Sequence, residues 1–486
     1  MKFSEKLLKT LSGALVIMLA ASAFACASDR GDDGENTDTR DGSEGIEAEE
    51  TTAAENALEL PAELDYGGEN IIIYGYDLYP KEHLAEELNG ELVNDAVFNR
   101  NKNVEELLNV NISVVINPWD NDDCRKKIQS TSMAGDEDYT IYTGNTYNFT
   151  YLAAEGAFLD IKYLPHIDVD KPWWNRSSYD ELSVGDRHMI LMSDMCMSTF
   201  GNVSGIFFNK GHIANYGFDD PYKLVDENKW TLDKLIADTS SFYVDLNGNG
   251  ERDEVGDIYG CYGRLQTWYY MAYAYVRVTE KNADNYPVIV FDSPRTEEIL
   301  NKLRDWMVGS DGCWSDMGWT GVEEFGNGQN CVFLWRSLSG ADYLRGADME
   351  YGIVPNPKYD EKDDWRTSSG GLVVAFPVTA KNTERTSAAA EALAYYAREL
   401  VTPAYVEQTI KVKGTRDEKA IEMVNIILDS IVYDFGVDYS GFSGWGYASL
   451  EYFKTTKGYC SFIEAYKSKA DAELIEAADK ILALDG

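Results

Sequence analysis

The stretch Ile71-Ile72-Ile73-Tyr74-Gly75-Tyr76 decides how this chain is read. It is a short, unbroken apolar run, the pattern of a strand buried on both faces of a parallel sheet. The residues downstream keep to that plan. Val93, Val97, Val104 and Leu108 recur on one face of a helix. Asn111 to Asn117 reads as a second strand, with Ile112, Val114 and Ile116 alternating. A helix around Cys124 to Ala134 and a third strand over Tyr139 to Tyr142 complete a β-α-β-α-β order. That order predicts an α/β fold with a doubly wound sheet. Ligands of such sheets bind beyond the carboxyl ends of the strands. The expected cleft therefore has Tyr76, Asp77, Thr143, Gly144 and Asn145 at its mouth.

At 486 residues the chain is long for one core, so two lobes are expected. A formal charge of −40 argues against binding nucleic acid through its phosphates. It equally argues against holding anionic lipid by charge. The N-terminus points outward from the cell. Lys2, Lys6 and Lys9 precede the apolar run Leu11 to Ala21, which has the length of a signal h-region. Ala23-Phe24-Ala25-Cys26 then resembles a lipobox, with Cys26 as the lipidated residue; the alternative is plain cleavage after Ala25. Residues 27–66 are acidic and poor in apolar periodicity, and are expected to form a disordered tether. Six further cysteines are scattered with no CxxC, so most are expected to be buried as small hydrophobes.

Asp245-Leu246-Asn247-Gly248-Asn249-Gly250-Glu251-Arg252-Asp253-Glu254 places oxygen-bearing side chains at every second position through Asp253. Its first half matches the calcium-loop pattern D-x-[DN]-x-[DN]-G. Its second half departs, because the acid comes at loop position ten and position twelve is Gly256. The loop reads as a structural Ca²⁺ site, the alternative being a polar surface turn without metal.

Leu164-Pro165-His166-Ile167-Asp168-Val169-Asp170-Lys171-Pro172-Trp173-Trp174-Asn175 leads into Leu182-Ser183-Val184-Gly185-Asp186 and Ile206-Phe207-Phe208-Asn209-Lys210. Lys229-Trp230-Thr231-Leu232-Asp233-Lys234-Leu235, the acidic loop, Tyr351 to Tyr359 and Thr402-Pro403-Ala404-Tyr405 come next in that order. This succession resembles the extracellular solute-binding lipoproteins of bacterial ABC importers, in their carbohydrate-binding branch. The resemblance covers about residues 67 to 440.

The resemblance implies a two-lobe, periplasmic-binding-protein-like clamp of type II. Lobe 1 would hold 67–198 with 373–415, and lobe 2 would hold 199–372 with 416–486. Crossings are expected near Met195 to Val203 and Gly371 to Phe376. The resemblance also implies that Asp245, Asn247, Asn249, Asp253 and Glu254 ligate calcium by side chains and Glu251 by its carbonyl. The implied partners are a carbohydrate and the membrane permease subunits, with the chain a monomer anchored by lipid on the outer face.

Sugars offer apolar faces for aromatic stacking and hydroxyls for fixed polar groups. The ligand candidates are Tyr76, Asp77, Tyr142, Asn145, Trp268, Tyr269, Trp335, Arg336, Trp365 and Trp445. Trp173 and Trp174 read as packing within a scaffold motif. The four histidines form no HExxH and no serine sits in GxSxG. The chain is therefore read as a binder and not an enzyme; a peptide binder and a glycan-active enzyme stand as the alternatives.

Overall fold

The computed structural model describes residues 57–117, 121–253, 255–264, 271–316, 321–328, 330–344, 346–347, 349–412, 415–416 and 418–484. Of two compact units, Met1–Ala54 lies outside these residues, and Glu55–Gly486 carries all of them. Cys26, the signal segment, Glu254, Trp268 and Tyr269 are likewise outside them.

The first sheet is built from β1 (Glu69–Tyr76), β2 (Val110–Asn117), β3 (Ile141–Asn145) and the much later β13 (Leu372–Ala375), in the order β13-β3-β1-β2. β1 is parallel to both neighbours, while β13 runs antiparallel to β3. Ile71 and Ile73 are fully buried, as the apolar run requires. The helix Leu92–Leu108 buries Val93, Val97, Val104 and Leu108 and ends at Asn109, whose left-handed φ of 48° lets the chain turn into β2. The sequence reading of this half holds to within two residues at each strand start.

The second sheet contains β4 (Ser204–Asn209), β5 (Tyr243–Asp245), β6 (Asp257–Arg264), β9 (Cys313–Asp316), β10 (Asn330–Ser337) and β11 (Tyr351–Val354). Its order is β11-β4-β10-β6-β5, with β9 beside β6. β6 is parallel to both β9 and β10, and β4 is antiparallel to β10 and β11. Three small pairings stand apart. They join β7 (Thr279–Lys281) to β8 (Pro287–Ile289), β12 (Thr367–Ser368) to β16 (Ile431–Val432), and β14 (Lys411–Val412) to β15 (Thr415–Arg416).

Topology fixes where the two sheets meet. β13 begins at Leu372, opposite Asn145 at the carboxyl end of β3. β4 begins at Ser204, opposite Ser337 at the carboxyl end of β10. Val203 and Ser369, each just ahead of those starts, form an antiparallel bridge. Both sheets thus turn the carboxyl ends of their parallel strands toward one pair of crossing segments. Ser369 Oγ donates to the Thr199 carbonyl at 2.8 Å, and Thr199 Oγ1 donates to the Leu372 carbonyl at 3.4 Å. Among the described residues no helix is long and apolar enough to cross a membrane.

Three expectations need correction. Leu372 to Ala375 is an edge strand of the first sheet, so the second crossing precedes it, at Ser369 to Gly371. The acidic tether ends earlier than residue 66: Leu58, Leu60, Leu64 and Tyr66 pack on the first sheet's core, and the Tyr66 amide donates to the Leu108 carbonyl. Apolar side chains at those positions find a groove that net acidity did not reveal. The C-terminal helix Tyr459–Leu482 is not confined to the second sheet. Its Lys480 pairs with Glu155 at 2.7 Å, just past the helix Thr146–Ala154 that follows β3.

The cysteine expectation is met where it can be read. Cys124, Cys196, Cys261, Cys313 and Cys331 are buried and unbridged, and Cys460 is exposed.

Candidate functional site

Where β1 leaves its sheet, the chain does not turn directly into a helix. Asp77 and Leu78 are exposed, Tyr79 folds back, and Pro80–Glu82 makes one 3₁₀ turn. Facing this exit are the first crossing, with its short helix Ser198–Gly201, and the segment after β10. Between them lies a cavity of about 490 Å³. That volume falls within the roughly 300–1,000 Å³ usual for small-molecule sites. Its walls include Tyr79, Lys81, Met197, Ser339, Asp342 and Tyr405.

The polar groups at this edge are held by one another. Tyr79 Oη donates to Asn202 Oδ1 at 3.1 Å and accepts from Asn202 Nδ2 at 3.0 Å. Asn202 Nδ2 also reaches the Gly370 carbonyl at 3.3 Å, so both crossings contribute to fixing this tyrosine. Asn145 does two jobs. Its Oδ1 caps the helix Thr146–Ala154 by accepting from the Asn148 amide at 2.8 Å, and its Nδ2 donates to Tyr76 Oη at 2.8 Å. Burial pushes the Tyr76 phenol up to about 12, so it remains a neutral hydroxyl at physiological pH.

The sequence-selected residues divide. Tyr76, Asp77 and Asn145 do stand at the carboxyl ends of β1 and β3. Tyr142 does not offer a face: it is fully buried among Tyr74, Tyr139 and Phe158. Trp335 is also fully buried, with Nε1 donating to Asn356 Oδ1 at 2.9 Å. Trp445 is buried against Phe291, with Nε1 donating to Asp471 at 3.0 Å. These three are packing residues, because each ring is enclosed and two of the three spend their polar atom on a neighbour. Arg336 is buried within β10. Trp365 is half-buried on a surface loop, with the Lys358 ammonium 4.7 Å from its ring centre. Trp268 and Tyr269 lie outside the described residues.

The cavity's own aromatic rings, Tyr79 and Tyr405, were not selected from the sequence. Tyr79 stands three residues beyond Tyr76, and the strand-end rule extended by one turn would have reached it. Tyr405 lies within Thr402-Pro403-Ala404-Tyr405, which entered the sequence reading only as one of the ordered motifs.

The acidic loop joins β5 to β6. Gly248, Gly250 and Gly256 take φ of 71°, 75° and 104°, conformations that favour glycine. Asp245 accepts from the Gly248 and Gly250 amides at 2.6 and 2.9 Å. Asn247 and Asn249 turn their amides onto Asp253 at 3.0 and 2.6 Å, which holds its carboxyl below the usual range. The Glu251 carbonyl accepts from Tyr243 Oη at 2.9 Å. Oxygen donors of the hard type thus crowd into one short loop, and this donor set fits a calcium-class cation.

No protein-family model matches the sequence, and comparison with curated proteins finds no match. Solved structures do match in shape. An ABC substrate-binding protein from Listeria monocytogenes in complex with cycloalternan superposes with a TM-score of 0.50 at 15% identity, over 85% of this chain and 98% of that one. A cyclo/maltodextrin-binding protein complexed with maltotetraose gives 0.52 at 14%, over 85% and 97%. UgpB from Mycobacterium tuberculosis, in complex with glycerophosphocholine, gives 0.52 at 13%, over 85% and 98%. At these identities the likeness speaks for architecture, and the chain has the two-lobe α/β fold of the ABC-importer substrate-binding proteins.

Proposed function

We propose that this chain captures a carbohydrate between its two lobes and hands it to the permease of an ABC importer. The observation that carries the reading is the shared edge. Both sheets direct parallel-strand ends at one pair of crossings, and a cavity of small-molecule size opens there. Such a layout lets few residues act as hinge while two rigid sheets close on a solute. The bound ligands of the Listeria and maltodextrin-binding structures favour an oligosaccharide. The phosphodiester held by UgpB keeps other small solutes in the test.

In this reading no bond of the solute is made or broken. Asp77, Asp342, Ser339 and the Tyr79–Asn202 pair hold hydroxyls, and the rings of Tyr79 and Tyr405 meet apolar sugar faces. Calcium is a structural ion, held by Asp245, Asn247, Asn249, Asp253 and Glu254 with the Glu251 carbonyl. Cys26 carries the lipid that keeps the protein, as a monomer, on the outer face of the membrane beside its permease.

The test is calorimetric titration with a panel of neutral and acidic oligosaccharides, glycerophosphodiesters and short peptides, with product analysis of each mixture. Saturable binding of one sugar class without turnover is the expected result. Binding of peptides alone, or release of sugar fragments, would overturn the reading.

A further inference from the structure

Behind the wall of the cleft, three residues of metal-binding type meet in the interior. Glu82 and His83 come from the turn after β1, and Cys196 from the first crossing. None is more than 1% exposed. Their candidate ligand atoms all lie within 4.8 Å of one another. The cysteine is free of any disulfide.

The hydrogen bonds around the cluster say which atoms are spare. His83 Nε2 stands 3.2 Å from Thr143 Oγ1, which also reaches the Tyr74 carbonyl at 3.5 Å. In the tautomer protonated at Nε2, Nδ1 keeps its lone pair for a metal. His83 Nδ1 is buried and has no hydrogen-bond partner. Glu82 places one oxygen on the Ser198 amide, while its Oε2 is buried and has no partner either. Two polar atoms left unpaired in one interior spot carry a desolvation cost. A cation between them would remove that cost.

We propose that Glu82, His83 and Cys196 form a binding site for a divalent transition-metal ion of the zinc class. One sulfur, one nitrogen and one oxygen suit such an ion and do not suit calcium, which takes six to eight oxygens. Ligands at about 2.0–2.3 Å from a tetrahedral ion stand roughly 3.5 Å apart, so even the widest pair need close by no more than about 1.3 Å on binding. A dication with one thiolate and one carboxylate makes a neutral centre, and the buried Arg100 beside it, which donates to the Met195 carbonyl at 3.3 Å and to Asn101, keeps its own positive charge. The ion would tie the exit of β1 to the crossing. Glu82 and Ser198 both line the cleft, so the clip sits against the ligand cavity.

The experiment is a Co²⁺ titration of the full chain carrying Cys460→Ser, which removes the exposed thiol among the described residues, and Cys26→Ser. Expected is about one equivalent bound, with a thiolate-to-cobalt absorption band that disappears in Cys196→Ser and needs at least about tenfold more metal in His83→Gln. Folding of each variant is checked by circular dichroism. A second measurement uses the unmutated chain: Zn²⁺ raises its melting temperature when calcium and sugar are absent. A band that survives Cys196→Ser overturns the proposal, as does a folded parent showing neither band nor Zn²⁺-dependent melt. The readouts need no sugar and the calcium loop has no thiolate, so failure here is separable from failure of the capture reading.

Discussion

At the residue scale, buried carboxylates are the chain's most exacting groups. Glu391 accepts from Trp173 Nε1 at 2.9 Å and from Trp174 Nε1 at 2.7 Å. Glu391→Ala strands two interior donors, and a loss of about 2–5 kcal/mol in urea denaturation is expected. The two tryptophans were legible as packing. Their acceptor was not, since it lies on a helix far along the chain. The same burial has a pH signature. Desolvation raises Glu391 to about 7 and Asp438 to about 8, the latter also facing Asp434 and Glu181. Each folded group holds its proton to higher pH than the unfolded chain does. Their stabilising contribution is therefore complete below about pH 4 and is lost as pH rises toward 8. The melting temperature should fall between pH 5.5 and 8.5 at fixed ionic strength, and Asp438→Asn should flatten that fall.

At the scale of elements, the crossing tolerates no added atom. A Cβ on Gly371 would stand 2.4 Å from Thr199 Cα, so Gly371→Ala forces the two crossing segments apart. A loss of about 1–3 kcal/mol by chemical denaturation is expected. The β5–β6 loop supplies a second case. Chelator should lower the melting temperature of the calcium-loaded chain, and Asp253→Ala should remove the difference between chelated and loaded protein. The helices and strands of the first sheet were readable because each carries its own period. β13 was not, because a five-residue apolar run between Gly371 and Pro377 looks alike as strand or crossing.

At the scale of the molecule, closure around a solute should shrink the protein. Small-angle scattering with and without saturating sugar should show a smaller radius of gyration in the bound form; an unchanged profile would count against hinge capture. Architecture was legible from strand order together with the ordered motifs from Leu164 to Tyr405. The site was less so, because stacking residues were chosen by type. A tryptophan inside a strand such as β10 is enclosed by the sheet's other layers, whereas a tyrosine just past a strand end, such as Tyr79, is free to face a cleft. The late arrival of β13 has a further consequence, for the order of folding. β3 lacks its outer neighbour until every strand from β4 to β12 has been made, and that neighbour then inserts antiparallel at its edge. The first sheet thus cannot be completed during early synthesis, and pairing so distant in sequence closes slowly. A chain with such a delayed closing strand stays open for longer before its two sheets are locked, and a fragment ending before Leu372 should expose β3 as an unpaired edge.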